Sequence, residues 1–149
     1  MQNQCLIMLG LCLALSIYTV NGCIHIKPFV LKEMEECYKK FNLGMAELLD
    51  FNNQPEDDIR FKKFAHCFYV GIGYLEGGKL SATAPNNVIV RNAGEPEDEE
   101  AMKGFVGKAA ELIEKANEYS DEYDKAWNLF RSTQEPENNK KILSFVCEE

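Results

Sequence analysis

The sequence predicts a small all-α domain that is stapled by disulfides. Apolar residues recur at three- and four-residue spacing in several segments, which is the pattern of one face of a helix. The β-favouring run Val88-Ile89-Val90 is too short to build a sheet on its own. Four cysteines follow the apolar N-terminus, which is typical of small secreted domains that hold two disulfides.

Residues 1–22 have the layout of a secretory signal peptide. They carry no charged side chain, and the apolar run from Cys5 to Val20 is shorter than the roughly 20 residues that a membrane span needs. Val20-Asn21-Gly22 supplies the aliphatic and small residues of a cleavage site before Cys23. We therefore expect residues 23–149 to form one secreted, extracellular domain without stable membrane insertion. An uncleaved N-terminal anchor is the alternative.

Charge and cysteine spacing exclude two classes of site. The net charge of −8 comes without a basic stripe, and binding to a phosphate backbone needs clustered lysine and arginine, so we expect no nucleic-acid partner. Cys23, Cys37, Cys67 and Cys147 form no C-x-x-C pair, which disfavours a zinc site. These cysteines predict two disulfides, and their spacing leaves all the possible pairings open.

The first half of the domain is predicted to contain three helices. The first begins at Pro28, because proline fits the first turn of a helix, and a short helical turn through Ala46 and Leu49 follows. The apolar face of the first helix consists of Val30, Leu31, Met34, Cys37, Tyr38 and Phe41. The third helix carries the strongest stripe, made of Phe61, Phe64, Ala65, Phe68, Ile72 and Leu75 and widened by Tyr69 and Val70. We expect Gly77-Gly78 to end it.

The second half is predicted to contain two further helices and a docked tail. Residues 79–94 suggest a short helix or an extended connection, and the acidic residues 97–100 then suit the start of a long helix. Its apolar face consists of Ala101, Phe105, Ala109, Leu112, Ile113 and Ala116. A helix from about Asp121 carries Tyr123, Ala126, Trp127 and Phe130. The closing apolar residues Ile142, Leu143, Phe145 and Val146 predict that the tail docks back onto the domain.

No catalytic constellation is evident in the sequence. His25 and His66 are far apart, and neither G-x-S-x-G nor H-E-x-x-H occurs. Cys67 and its neighbour His66 do not make a nucleophile and base, because adjacent helical residues point roughly 100 degrees apart and a secreted cysteine is usually oxidised. We therefore expect no enzymatic activity, no cofactor and no metal ion.

The order of these segments resembles the insect pheromone- and general-odorant-binding protein family. The first helix carries a cysteine in Glu36-Cys37-Tyr38-Lys39-Lys40-Phe41, and a second cysteine follows in His66-Cys67-Phe68-Tyr69-Val70-Gly71. Gly77-Gly78-Lys79-Leu80 is similar to the family's Asp-Gly-Lys-Leu turn. Other residues stand where the family has its remaining cysteines, namely Gly71, Glu114-Lys115-Ala116, Tyr123 and Ser132. The likeness extends from Met34 to Ser132.

This resemblance implies a compact bundle of about six helices around one apolar cavity. It also bears on the disulfides, because the family partners of Cys37 and Cys67 are both absent here. On this comparison we hypothesise that Cys37 joins Cys67, which lies one helical turn before Gly71. Cys23 and Cys147, which lie outside the family core, would then join the two termini.

The resemblance further implies a carrier that binds a small hydrophobic ligand such as an odorant, pheromone, hormone or lipid. Periodicity alone does not distinguish a lined cavity from a filled core. The ligand-binding residues expected on the resemblance are Met34, Tyr38, Phe41, Phe64, Phe68, Tyr69, Ile72, Phe105, Leu112, Trp127, Phe130 and Phe145. Tyrosine hydroxyls, at Tyr38, Tyr69, Tyr74 or Tyr123, are candidates for a hydrogen bond to a ligand oxygen.

Two further expectations concern the tail and the function class. Residues 142–146 are placed to cap such a cavity, and Cys147, if bridged, would restrain them. The alternative function is a venom, salivary or reproductive-fluid protein of the same fold that acts by recognising another protein. A homodimer or a contact with a receptor also stays open.

Overall fold

The computed structural model describes residues 22–53, 55, 58–92, 94 and 96–148, so the expected signal peptide lies outside the described residues apart from Gly22. The predicted all-α fold is confirmed. Within the described ranges the six α-helices are α1 (Pro28–Lys40), α2 (Met45–Leu49), α3 (Ile59–Gly71), α4 (Glu99–Ala116), α5 (Glu122–Gln134) and α6 (Pro136–Leu143). A 3-10 turn covers Phe51–Asn53, and a π-helix covers Pro85–Val90, where the sequence left a short helix or an extended segment open.

Aspartates and prolines set where most of the helices begin. The side chains of Asp58, Asp98 and Asp121 accept hydrogen bonds from backbone N–H groups in the first turns of α3, α4 and α5. Such caps satisfy donors that have no partner inside the helix. Pro28 and Pro136 occupy the first turns of α1 and α6, where proline loses no needed hydrogen bond.

Helix α3 lies at the centre of the bundle. It packs most extensively against α5 and also against α1, and α5 in turn packs against α4 and α6. Phe64, Ala65, Ile113 and Ala126 are wholly buried where these helices meet. Helix α6 contributes no fully buried residue and lies on the surface. None of the helices in the described ranges combines the length and apolar character that a membrane crossing requires.

The predicted end of α3 is wrong by about two turns. The helix ends at Gly71 rather than at Gly77-Gly78, because Gly73 adopts the left-handed conformation (φ +80°) that closes a helix. The chain then forms an antiparallel hairpin of β1 (Leu75–Glu76) and β2 (Lys79–Leu80). Gly77 (φ +57°) and Gly78 (φ +77°) are the two turn residues, and positive φ at both is what a tight hairpin turn requires.

Two side chains attach this hairpin to the bundle, one from Asn117 at the C-cap of α4 and one from Lys125 in α5. The Asn117 amide accepts from the backbone N–H of Leu80 (3.1 Å) and donates to its carbonyl (2.8 Å). Lys125 of α5 donates to the carbonyl of Gly78 (2.9 Å). These contacts fix the position of Tyr74, whose backbone N–H donates to the carbonyl of Tyr69 in α3 (2.8 Å).

The cysteines pair as hypothesised in the sequence analysis. Cys37 of α1 is bonded to Cys67 of α3, with their Cα atoms 5.8 Å apart, and Cys23 is bonded to Cys147, with their Cα atoms 5.1 Å apart. Both separations are ordinary for disulfides. The first bond joins the two helices that carry it, and the second joins the two ends of the domain.

The C-terminal segment docks onto the domain, as predicted. Ile24 donates its N–H to the carbonyl of Phe145 (2.8 Å), and Cys147 donates to the carbonyl of Ile24 (2.9 Å). These bonds form a parallel bridge between Ile24 and Val146, and Ile24 is wholly buried. The Phe145 ring lies directly over Gly104 of α4, where any Cβ would overlap it. Glycine at position 104 therefore allows the Phe145 ring of the C-terminal segment to pack against α4.

Two glycines of α4 give a matched test of this docking. Replacing glycine by alanine inside a helix ordinarily stabilises by up to about 1 kcal/mol. We expect that gain for Gly107→Ala, because no atom lies within 4 Å of the position that its Cβ would occupy. For Gly104→Ala the overlap with Phe145 should outweigh the gain and destabilise by about 1–3 kcal/mol.

Urea unfolding of both variants measures the difference in the free energy of unfolding. The described docking predicts shifts of opposite sign. Equal stabilisation by the two alanines would show that Phe145 does not rest on Gly104.

Candidate functional site

An apolar cavity lies between α3, α4, α5 and α6. Its volume is about 240 Å³. The residues that line it are Phe68, Tyr69, Ile72, Tyr74, Ile89, Phe105, Ala109, Ile113, Leu129, Thr133, Gln134, Asn139, Ile142 and Leu143. None of them carries a formal charge, so the cavity is suited to a neutral molecule: a buried charge without a partner is costly.

Helical periodicity explains how the walls are built. In α4, Phe105, Ala109 and Ile113 follow one another at four-residue spacing and therefore face the same side. The small side chain of Ala109 between two large ones leaves room in that wall. In α3, Phe68 and Ile72 are likewise four residues apart, with Ile72 capping the helix.

The mouth of the cavity is formed by α6. Leu143 lines the cavity although 56% of its surface is exposed, which places it at the rim. Ile142, beside it, is half-buried and packs against the core. The C-terminal segment therefore covers one side of the cavity, in the position that the sequence suggested for a cap.

Two buried tyrosines, Tyr69 and Tyr74, contribute hydroxyl groups to the lining of the cavity. The rings of Tyr69 and Tyr74 are stacked, with centroids 5.8 Å apart. Burial raises the pKa of Tyr69 above its ordinary value, and a hydrogen bond with Thr133 acts in the opposite direction. Burial also raises the pKa of Tyr74 well above the ordinary value, and the neighbouring Tyr69 adds to the rise. Both phenols are therefore neutral hydrogen-bond donors at neutral pH.

The Tyr74 hydroxyl is the more available of the two. Thr133 itself donates to the carbonyl of Phe130 (2.7 Å), so its oxygen is free to accept from Tyr69. No residue in the described ranges makes a hydrogen bond to the Tyr74 hydroxyl, and its oxygen stays accessible to solvent. An oxygen of a bound molecule would satisfy that donor.

The structure brings together some of the residues expected at a ligand site and separates others. Phe68, Tyr69, Ile72 and Phe105 line the cavity. Phe64, Leu112 and Phe130 are buried in the core, where the rings of Phe64 and Phe130 form a T-shaped pair with centroids 5.3 Å apart. Half-buried positions packed against the core are taken by Met34, Tyr38, Phe41, Trp127 and Phe145. Whether any of them contacts a ligand stays a prediction.

Comparison with the models of known protein families, with curated proteins and with solved structures finds no match to this chain. The site is therefore interpreted from its own residues.

Several lining residues had no clear signal in the sequence. Ile89 comes from a segment outside the α-helices, so no helical face predicts it, and Tyr74 was expected only as one of four tyrosines that could donate to a ligand oxygen. Ala109 and Ile113 do belong to the predicted face of α4, and Ile142 to the predicted apolar cluster of the tail. Their periodicity indicates burial, and only the fold shows that they face a cavity.

One cluster of metal-ligand types also occurs in the described part of the chain. Donor atoms of Cys23, His25 and Cys147 lie within 4.8 Å of one another. Both sulfur atoms are joined in a disulfide, and a metal needs thiolates. The cluster in its oxidised form therefore offers one imidazole.

The buried phenols predict a change of stability at alkaline pH. Tyrosines ionise near their ordinary pKa of 10.0 in the unfolded chain, whereas Tyr69 and Tyr74 stay protonated in the folded one. The unfolded state therefore loses protons first, so the free energy of unfolding should be unaffected by these groups below about pH 10 and fall above it.

Absorbance of tyrosinate at alkaline pH checks this directly. Tyr74→Phe should leave the absorbance change of the folded protein unaltered and reduce the change that accompanies unfolding. A loss of signal from the folded protein near pH 10 would mean that Tyr74 is not buried as described.

Proposed function

We propose that this protein is a carrier that binds a small neutral, mostly apolar molecule in the cavity between α3, α4, α5 and α6. The observation that carries the proposal is an uncharged cavity whose lining is apolar except for a few hydroxyl and amide groups, with the free donor of Tyr74 among them. Ligand sites generally combine a hydrophobic lining with a few placed polar groups. As part of the same proposal, we place the chain among divergent relatives of the odorant-binding proteins, on the sequence motifs that resemble that family.

The volume limits the size of the ligand. An apolar protein cavity of roughly 150 Å³ takes up benzene, and sites for drug-sized ligands begin at roughly 300 Å³. The cavity of about 240 Å³ lies between the two. We therefore infer a ligand larger than a single ring and smaller than a drug-sized compound.

The chemistry of the wall defines the class of ligand. Removal of apolar surface from water supplies roughly 25 cal/mol per Å² and drives the binding. A single alcohol or carbonyl oxygen would accept a hydrogen bond from Tyr74. A carboxylate or an ammonium group would find no counter-ion in the lining.

The disulfides support a carrier that works outside the cell. Two disulfides in a small domain fit an oxidising compartment. A carrier that meets changing extracellular conditions benefits from a cavity whose shape is held by covalent bonds. In this proposal the expected signal peptide delivers the chain to that compartment.

Titration with the uncharged fluorescent probe N-phenyl-1-naphthylamine tests the cavity. We expect saturable binding with about one probe per chain. Ala109→Leu places a larger side chain in the lining and reduces the volume of the cavity. It should therefore weaken the affinity for the probe by roughly tenfold or more, which corresponds to about 1.4 kcal/mol.

The matched control is Ala110→Leu, the same substitution at the next residue of α4, which does not line the cavity. It should leave the affinity within about twofold. Failure of the unsubstituted protein to bind the probe, or an equal loss in both variants, would contradict the proposal and favour a function in protein recognition.

A second variant tests the polar anchor. A medium-chain alcohol should displace the probe, and Tyr74→Phe should weaken that competition by about two- to tenfold, since one neutral hydrogen bond is worth about 0.5–1.5 kcal/mol. Affinity for the probe itself should stay the same. If the alcohol competes equally well against both proteins, Tyr74 does not bind the ligand oxygen.

A further inference from the structure

A second cavity, separate from the first, opens on the surface between α3 and α5. It is a cleft of about 360 Å³, and it shares no lining residue with the cavity between α3, α4, α5 and α6, which we call the interior cavity because most of its lining side chains are buried. The 3-10 turn at Phe51–Asn53 closes one side. We refer to it as the aromatic cleft, because Phe51, Phe61, Tyr119 and Trp127 all line it.

Trp127 is held in place on several sides. Its ring forms a T-shaped pair with Phe51 (centroids 5.6 Å apart, planes at 84°) and lies against Phe61 (5.6 Å, 42°). Phe130 stacks on it with centroids 5.7 Å apart. Because these neighbours restrict its rotation, binding a ring to its remaining surface costs little side-chain entropy.

The charged groups of the cleft differ in whether they have partners. Asp58 is paired with Arg60 (2.6 Å), and Asp124 is paired with Lys62 (2.6 Å). The side chain of Arg131, which also lines the cleft, has no ion pair or hydrogen bond with any residue in the described ranges, and its backbone carbonyl accepts a hydrogen bond from the N–H of Glu135 (3.2 Å). Among the described residues that line the aromatic cleft, the guanidinium of Arg131 is therefore the charged group without a partner.

Arg131 lies in the last turn of α5, where a positive charge interacts favourably with the helix dipole. That accounts for a cation near the end of the helix. The helix dipole does not account for the neighbour of this cation. One helical turn away, Trp127 lies at the wall of the same cleft and is packed against three rings.

We propose that the aromatic cleft is a second binding site, for a small aromatic molecule that carries an anionic group. The aromatic ring would lie against Trp127, and the anion would bind the guanidinium of Arg131. Four residues along a helix correspond to about 6 Å, so the anion is attached to the ring directly or through a short linker. Guanidinium groups bind planar oxyanions through paired hydrogen bonds.

The two cavities then sort ligands by charge. The interior cavity has no counter-ion for an anion, whereas the aromatic cleft has one next to an apolar surface. The proposal does not depend on the function proposed for the interior cavity, because the residues of the two sites are different.

Two probes with the same ring system separate the sites. 8-Anilinonaphthalene-1-sulfonate carries an anionic group, and N-phenyl-1-naphthylamine does not. Since the chain has a single tryptophan, its fluorescence reports on the aromatic cleft. The sulfonate probe should shield Trp127 from collisional quenching by acrylamide.

Arg131→Gln should weaken the affinity for the sulfonate probe by roughly tenfold or more, because a hydrogen-bonded charge is lost. Affinity for the neutral probe should not change. Arg131→Lys, which keeps the cation at the helix end, should recover part of the affinity. The matched control is Lys63→Gln, which removes one exposed cation of α3 outside the cleft and should alter the affinity by no more than about twofold.

Three results would overturn the proposal. One is an equal effect of Arg131→Gln and Lys63→Gln, which would indicate a general effect of net charge. Another is loss of sulfonate-probe binding in Ala109→Leu but not in Arg131→Gln, which would place that probe in the interior cavity. The third is a bound sulfonate probe that leaves the acrylamide quenching of Trp127 unchanged.

Discussion

The burial of α3 on two sides is the constraint on which the rest of the structure depends. On one side the Cys37–Cys67 disulfide ties it to α1, and on another the rings of Phe64 and Phe130 pack edge to face against α5. A helix held in this way has a fixed rotation, so Phe68 and Ile72 point towards α4 rather than towards solvent. The space they leave opposite Ala109 is the cavity. Both the core and the candidate site therefore depend on the same helix.

The closure of the cavity depends on a different set of contacts. Helix α6 buries no residue completely, although it packs against α5 and α4, and it is followed by a segment that is anchored to the start of the domain. That segment is fixed by the Cys23–Cys147 disulfide, by the backbone bridge to Ile24 and by Phe145 on Gly104. A disulfide that closes a long loop restricts the unfolded chain strongly. It also keeps the rim residue Leu143 close to the mouth, so a wide swing of the tail would first require that bond to break.

Sequence periodicity predicted the helices and much less of the site. It found the faces of α1, α3, α4 and α5 because each buries an apolar stripe. It placed the end of α3 at Gly77-Gly78, since these glycines suit a helix end as well as Gly73 does. It did not predict α6, whose sequence has few apolar residues. Phe64 and Phe68 lie on one face and stack, yet only Phe68 reaches the cavity. Periodicity shows which residues of a helix are buried, whereas a cavity depends on where neighbouring helices leave space between them.

We propose that a neutral, mostly apolar molecule occupies the interior cavity. The most direct measurement is a methyl NMR titration of isoleucine-labelled protein with a medium-chain alcohol. Ile72, Ile89, Ile113 and Ile142 line the cavity, whereas Ile24 is buried at the joined termini and Ile59 is exposed at the start of α3. We expect saturable shifts of the four lining methyl groups and none at Ile24 or Ile59. Shifts confined to Ile24 or Ile59, or no shifts at all, would contradict the account.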